Sequence, residues 1–79
     1  MPTIFVVHGY RFFFFSNEGN EPVHIHIERG EKHAKFWIDP ICLARNYKFT
    51  SVELGKIMEI IEDRKNEIEG RWNEYFNIH

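Results

Sequence analysis

Apolar and polar residues alternate from residue 3 to about residue 48, then recur at steps of three and four. The first rhythm is that of strands, whose side chains point to opposite faces in turn; the second is that of a one-sided helix. Thr3–Val7 reads as a first strand and His8-Gly9 as a tight turn, after which Tyr10–Ser16 completes a hairpin. The run Phe12-Phe13-Phe14-Phe15 sets two rings on each face. That fits a strand covered on both sides, or on one side plus a partner. Asn17-Glu18-Gly19-Asn20-Glu21-Pro22 is dense in turn formers and reads as a loop. Strand three is expected over Val23–Arg29. Gly30-Glu31-Lys32 then turns the chain into strand four, His33–Asp39, which Pro40 ends. A short edge strand around Ile41–Leu43 and a turn near Asn46 finish this part.

Thr50 and Glu53 have the spacing of a capping box, in which each side chain satisfies an orphan amide of the first helical turn. Behind them Leu54, Ile57, Met58, Ile61, Ile68, Trp72, Tyr75 and Phe76 form one stripe, with Glu59, Glu62, Asp63, Glu67 and Glu69 largely opposite. The stripe keeps its phase past Asn66, which predicts one helix from about 51 to 77. Gly70 costs about 1 kcal/mol relative to alanine and marks where that helix would kink or break. The expected fold is α+β: one domain over 1–79, with an antiparallel sheet of four or five strands in 1–48 and a long helix in 50–77 on one face. Val23, Ile25 and Ile27, with Ala34, Phe36 and Ile38, then face the helix. His24, His26, Glu28, Lys35, Trp37 and Asp39 show on the other side.

Size and composition sharpen this picture. A chain of 79 residues with one cysteine, Cys42, has no intramolecular disulfide and no cysteine cluster for a structural zinc. Stability must come from apolar burial, for which 8 Phe, 2 Trp and 3 Tyr are available beside the aliphatics. A core of this size typically nets only about 3–5 kcal/mol, so a homodimer or partner complex is expected. Net charge −2 argues against a strongly basic nucleic-acid binder. Residues 1–50 carry six Lys/Arg and five Asp/Glu, net +1, against four and seven, net −3, in 51–79. No export signal is evident, the longest apolar run is too short to span a bilayer, and the free thiol fits a reducing cytoplasm.

The outer face is where the chemistry is expected. His24-x-His26 puts two imidazoles on one strand face with their Cβ atoms about 6–7 Å apart, a spacing suited to one zinc, iron or manganese ion with Glu28 or His8 as third ligand. Without a third ligand at fixed spacing, the plainer reading is two half-exposed histidines bonded to neighbours or water. A cofactor-free alternative is RNA cleavage by 2′-hydroxyl attack. There His24 and His26 act as the acid/base pair, Arg11 and Lys35 hold phosphate, and Trp37 or an outward Phe stacks a base. The same face, with Phe13, Phe15, Trp37 and Glu28, has the aromatic–polar mix of a protein interface. Cys42 reads as a small core residue rather than a nucleophile. The sequence leaves enzyme and non-enzymatic binding module both open.

Met1-Pro2-Thr3-Ile4, the Gly9 turn, Pro22-x-His24-x-His26 followed by Glu28 and Gly30, and the late Trp72 together resemble a family of small bacterial proteins. That family is grouped as a domain of unknown function, and some members are described as DhiT-like toxins of type II toxin–antitoxin pairs. Its usual form has two prolines before the first histidine, where this chain has Pro22-Val23. The resemblance implies a toxin-like component with a cognate antitoxin-like small protein as partner. It assigns no catalytic residue.

Overall fold

The computed structural model describes residues 3–76. Strands β1 (Thr3–Val7), β2 (Tyr10–Phe13), β3 (His24–Arg29), β4 (Lys32–Ile38) and β5 (Ile41–Tyr47) lie in chain order in one antiparallel sheet. The β1–β2 turn needs two residues in left-handed backbone, and His8 (φ 52°) with Gly9 (φ 82°) supply them. Two helices follow, α1 (Ser51–Asp63) and α2 (Lys65–Tyr75), so the architecture is the expected α+β layering of helix on sheet. No helix among the described residues is long and apolar enough to cross a membrane.

The predicted inward set forms the core except for Val23, which precedes β3 and is only partly buried. Ile25 and Ile27 from β3 and Ala34, Phe36 and Ile38 from β4 are buried with Phe12, against Ile57 and Ile61 of α1 and Ile68 and Trp72 of α2. Fully burying one such side chain is worth about 1.5–3 kcal/mol. The Phe run divides as expected: Phe12 and Phe14 belong to this core, while Phe13 and Phe15 pack beside His26 on the other face.

Four expectations are corrected. The helix breaks at Arg64 (φ −114°, ψ 20°), not at Gly70, and its final expected residue lies outside the described residues. At the break the Arg64 guanidinium sits 4.6 Å over the Phe5 ring of β1, a contact that apolar periodicity cannot reveal. β2 ends at Phe13, because from Phe14 the chain turns away to pack against Trp72. β5 runs to Tyr47, well past the short strand expected, with Ala44 unpaired between Arg45 (opposite Lys35) and Leu43 (opposite Phe36). Cys42 is exposed because it stands opposite Trp37, on the sheet face away from the helices.

Candidate functional site

The loop between β2 and β3 builds the site by folding onto the sheet. Phe14 is buried edge-on against Trp72, ring centroids 5.1 Å apart, and Phe76 lies over Gly19 so closely that a Cβ there would stand 2.6 Å from its Cδ1. These contacts anchor the loop on both sides of Glu18, whose Oε1 also accepts from the Phe15 amide at 3.3 Å. The Glu18 carboxylate is thereby held over the first residues of β3.

There it meets both histidines. His26 Nε2 lies 2.8 Å and 3.1 Å from the two carboxylate oxygens, and His24 Nε2 lies 2.9 Å from Oε1. Burial raises the Glu18 carboxyl, but the adjacent His24 and His26 rings outweigh it and hold the group below its ordinary value. Burial lowers His26, and the Glu18 carboxylate only partly opposes that shift, so its imidazole favours the neutral form. The rings of His24 and His26 stand edge to face at 5.2 Å.

Sharing a sheet face does not give the two histidines equal access. His24 is 0% exposed, packed edge-on between Trp37 (5.5 Å) and Trp72 (4.9 Å). The expected outward acid/base pair is therefore one reachable imidazole, His26, and one sealed beneath the indoles. Alternation placed His24 on the right face, but the loop and α2 close over that end of the strand.

His26 and Glu18 line a pocket of about 350 Å³ on the outer face, together with Phe13, Phe15, Glu28, His33, Lys35 and Arg45. The other expected residues divide around it. Arg11 is not part of the lining; it pairs with Glu28, bonds Thr3 Oγ1 at 2.8 Å and lies 4.3 Å over the Phe13 ring. Phe13 is itself buried, so the bare aromatic patch expected here is smaller than the sequence suggests. Lys35 donates to Glu21 Oε1 at 2.9 Å and stands 4.5 Å over Trp37. Trp37 lines a separate depression with Pro22, Val23 and Cys42, away from Phe15. Glu28, the expected metal ligand, is committed to Arg11, and Glu18 takes its place beside the histidines.

Sequence reasoning missed Glu18 and Arg45. Glu18 sits in a loop, where no period fixes which way a side chain falls. The bulge at Ala44 brings Arg45 to the same face as Lys35, its register partner.

The sequence pattern of one protein family, described as a domain of unknown function (DUF4160), matches residues 9–73. No curated protein and no solved structure matches the chain. The matched span holds strands β2 to β5, all of α1, most of α2 and every residue of the pocket. The chain therefore belongs to the domain-of-unknown-function family DUF4160.

Proposed function

We propose that this protein is the toxin-like component of a toxin–antitoxin pair and binds single-stranded RNA across the outer face of its sheet. The observation that carries the reading is the register pair Lys35 and Arg45, two cations directly opposite each other in the wall of the pocket. Like charges in that position destabilise a sheet unless something anionic joins them. Lys35 is drawn aside to Glu21, while exposed Arg45 has no ion pair among the described residues. A phosphate is the anion that suits two such donors.

The surroundings support a nucleotide over a bare anion. Phe15 is partly exposed at the pocket, and Tyr47 stacks on His33 at 4.8 Å beside Arg45. Such rings accept bases of any sequence. A pocket of this volume falls at the lower end of the usual range for small-molecule sites, about 300–1,000 Å³. If the RNA is cut, His26 takes the 2′-hydroxyl proton as the 2′-oxygen attacks phosphorus, and the bond from phosphorus to the 5′-oxygen breaks as that oxygen takes a proton from water. A cognate antitoxin-like protein covering the same face would silence it by competition.

The test is fluorescence anisotropy with an unstructured, labelled oligoribonucleotide in chelator-containing buffer. Saturable binding is expected, weakened about tenfold, or about 1.4 kcal/mol, by Arg45→Glu and by Phe15→Ala. Absence of saturable binding, or a folded Arg45→Glu variant that binds as the parent does, overturns the reading. Gel analysis of the same RNA decides cleavage separately: a 2′,3′-cyclic phosphate end lost in His26→Ala supports it, and intact RNA removes it.

A further inference from the structure

His24 Nε2 is fully enclosed and has no hydrogen-bond partner. The other ring nitrogen explains its state. Nδ1 lies 2.9 Å from the Pro22 carbonyl oxygen, which only accepts, so Nδ1 carries the hydrogen. With the hydrogen on Nδ1, Nε2 offers a lone pair, and a carboxylate oxygen of Glu18 lies 2.9 Å away but off its axis. Even protonated, Nε2 is too poorly aligned with that oxygen to hydrogen-bond it. Two electron-rich atoms this close, one of them shut off from water, call for a cation beside both.

We infer that Glu18, His24 and His26 form a three-ligand site for a divalent transition-metal ion. His26 Nε2 lies 2.8 Å from the same Glu18 oxygen, and one ligand atom from each residue falls within 4.8 Å of the others. The bond from His24 Nδ1 to a backbone carbonyl is the arrangement that fixes tautomer and ring orientation in metal-binding histidines. Two imidazoles and a carboxylate suit zinc and ferrous iron alike. Zinc bonds of about 2.0–2.1 Å at tetrahedral angles set ligand atoms about 3.3 Å apart. The carboxylate therefore has to withdraw by about half an ångström from its present distances, and the two ring nitrogens, within 4.8 Å of each other, have to stand about 3.3 Å apart. Glu18 sits on a loop, which can accommodate that shift. The site differs from the His24, His26 and Glu28 set suggested by strand spacing, and it stands whether or not the outer face binds RNA.

The experiment uses tag-free protein stripped with chelator and titrated with Zn²⁺ by calorimetry, with Co²⁺ by visible absorption, and with Fe²⁺ under anaerobic conditions. One equivalent is expected, with Co²⁺ giving a low-coordinate d–d spectrum. Glu18→Gln and His26→Ala should each weaken binding at least tenfold while circular dichroism shows the fold intact. His8→Asn, at a turn position remote from the cluster, should leave affinity unchanged. Tight binding of either zinc or iron through these residues supports the site. No stoichiometric binding of any of the three ions, or folded Glu18→Gln and His26→Ala variants that bind as tightly as the parent, overturns it.

Discussion

Lys32 Nζ lies 3.0 Å from Glu53 Oε2, tying the first residue of β4 to the first turn of α1. The same carboxylate accepts from the Thr50 amide at 3.0 Å, while Thr50 Oγ1 accepts from the Glu53 amide at 3.2 Å. One side chain thus caps the helix and clasps it to the sheet. The Thr50 amide first, and Lys32 second, hold the Glu53 carboxyl below its ordinary 4.5.

A depressed folded value fixes the sign of the pH dependence. The stabilisation is present above the unfolded value, near 4.5, and is lost as pH falls through the folded one. Glu53→Gln keeps a capping acceptor and removes only the charge. Thermal melts should show the variant less stable than the parent at neutral pH, with the gap closing at acid pH. A gap of constant size down to full protonation would show that the charge contributes nothing.

Gly19→Ala tests the anchoring of the loop. The added Cβ meets the Phe76 ring at 2.6 Å, so either that ring or the loop must yield. Overpacking of this kind costs about 1–3 kcal/mol, read from urea unfolding. If the loop is what moves, Glu18 leaves the histidines, and metal affinity falls along with stability. Parent-like stability would mean that Phe76 does not hold the loop.

The layer order and the inward aliphatics were legible because alternation and helical steps are direct consequences of backbone geometry. Thr50 and Glu53 were legible because the capping box has a fixed local spacing. His24 shows where this reasoning ends. Its face follows from period, but its burial follows from Trp72, far along the chain, reaching its ring to 4.9 Å. Glu18 is set by Phe14 packing on Trp72 and Gly19 on Phe76, Arg45 by a one-residue bulge, and the Arg64 break coincides with a cation over Phe5. Each is a tertiary contact between segments whose own patterns are silent about one another.

Asn46 makes a third stability test. Its Nδ2 donates to the Phe49 carbonyl at 3.0 Å and its Oδ1 accepts from the Phe49 amide at 3.1 Å. The side chain thus closes the passage from β5 to α1 around Lys48, whose φ is 72°. It also seats buried Phe49 beside Tyr10, ring centroids 5.9 Å apart. With each hydrogen bond worth about 0.5–1.5 kcal/mol net, Asn46→Ala should cost about 1–3 kcal/mol in urea unfolding. Asn46→Asp keeps the acceptor and loses the donor, so its cost should fall between parent and Ala variant. Equal stability of all three would show the turn to be held by its backbone alone.

The Ala44 bulge makes the strongest demand on the RNA reading. In unbroken alternation Arg45 would share a face with Ile41 and Leu43 and point toward the helices; the extra residue returns it to the face of Lys35. A cation positioned this way acts by neutralising phosphate, and each phosphate neutralised on a single strand contributes about 0.7 to the slope of log affinity against log salt. Arg45→Ala should therefore flatten that slope by about 0.7. Lys35→Ala should flatten it less, because Lys35 is already paired with Glu21 at 2.9 Å. Phe15→Ala, which removes a stacking surface and no charge, should weaken binding with the slope unchanged. A slope unaltered by Arg45→Ala would mean that Arg45 meets no phosphate, and the bulge would then have to be explained by the sheet alone.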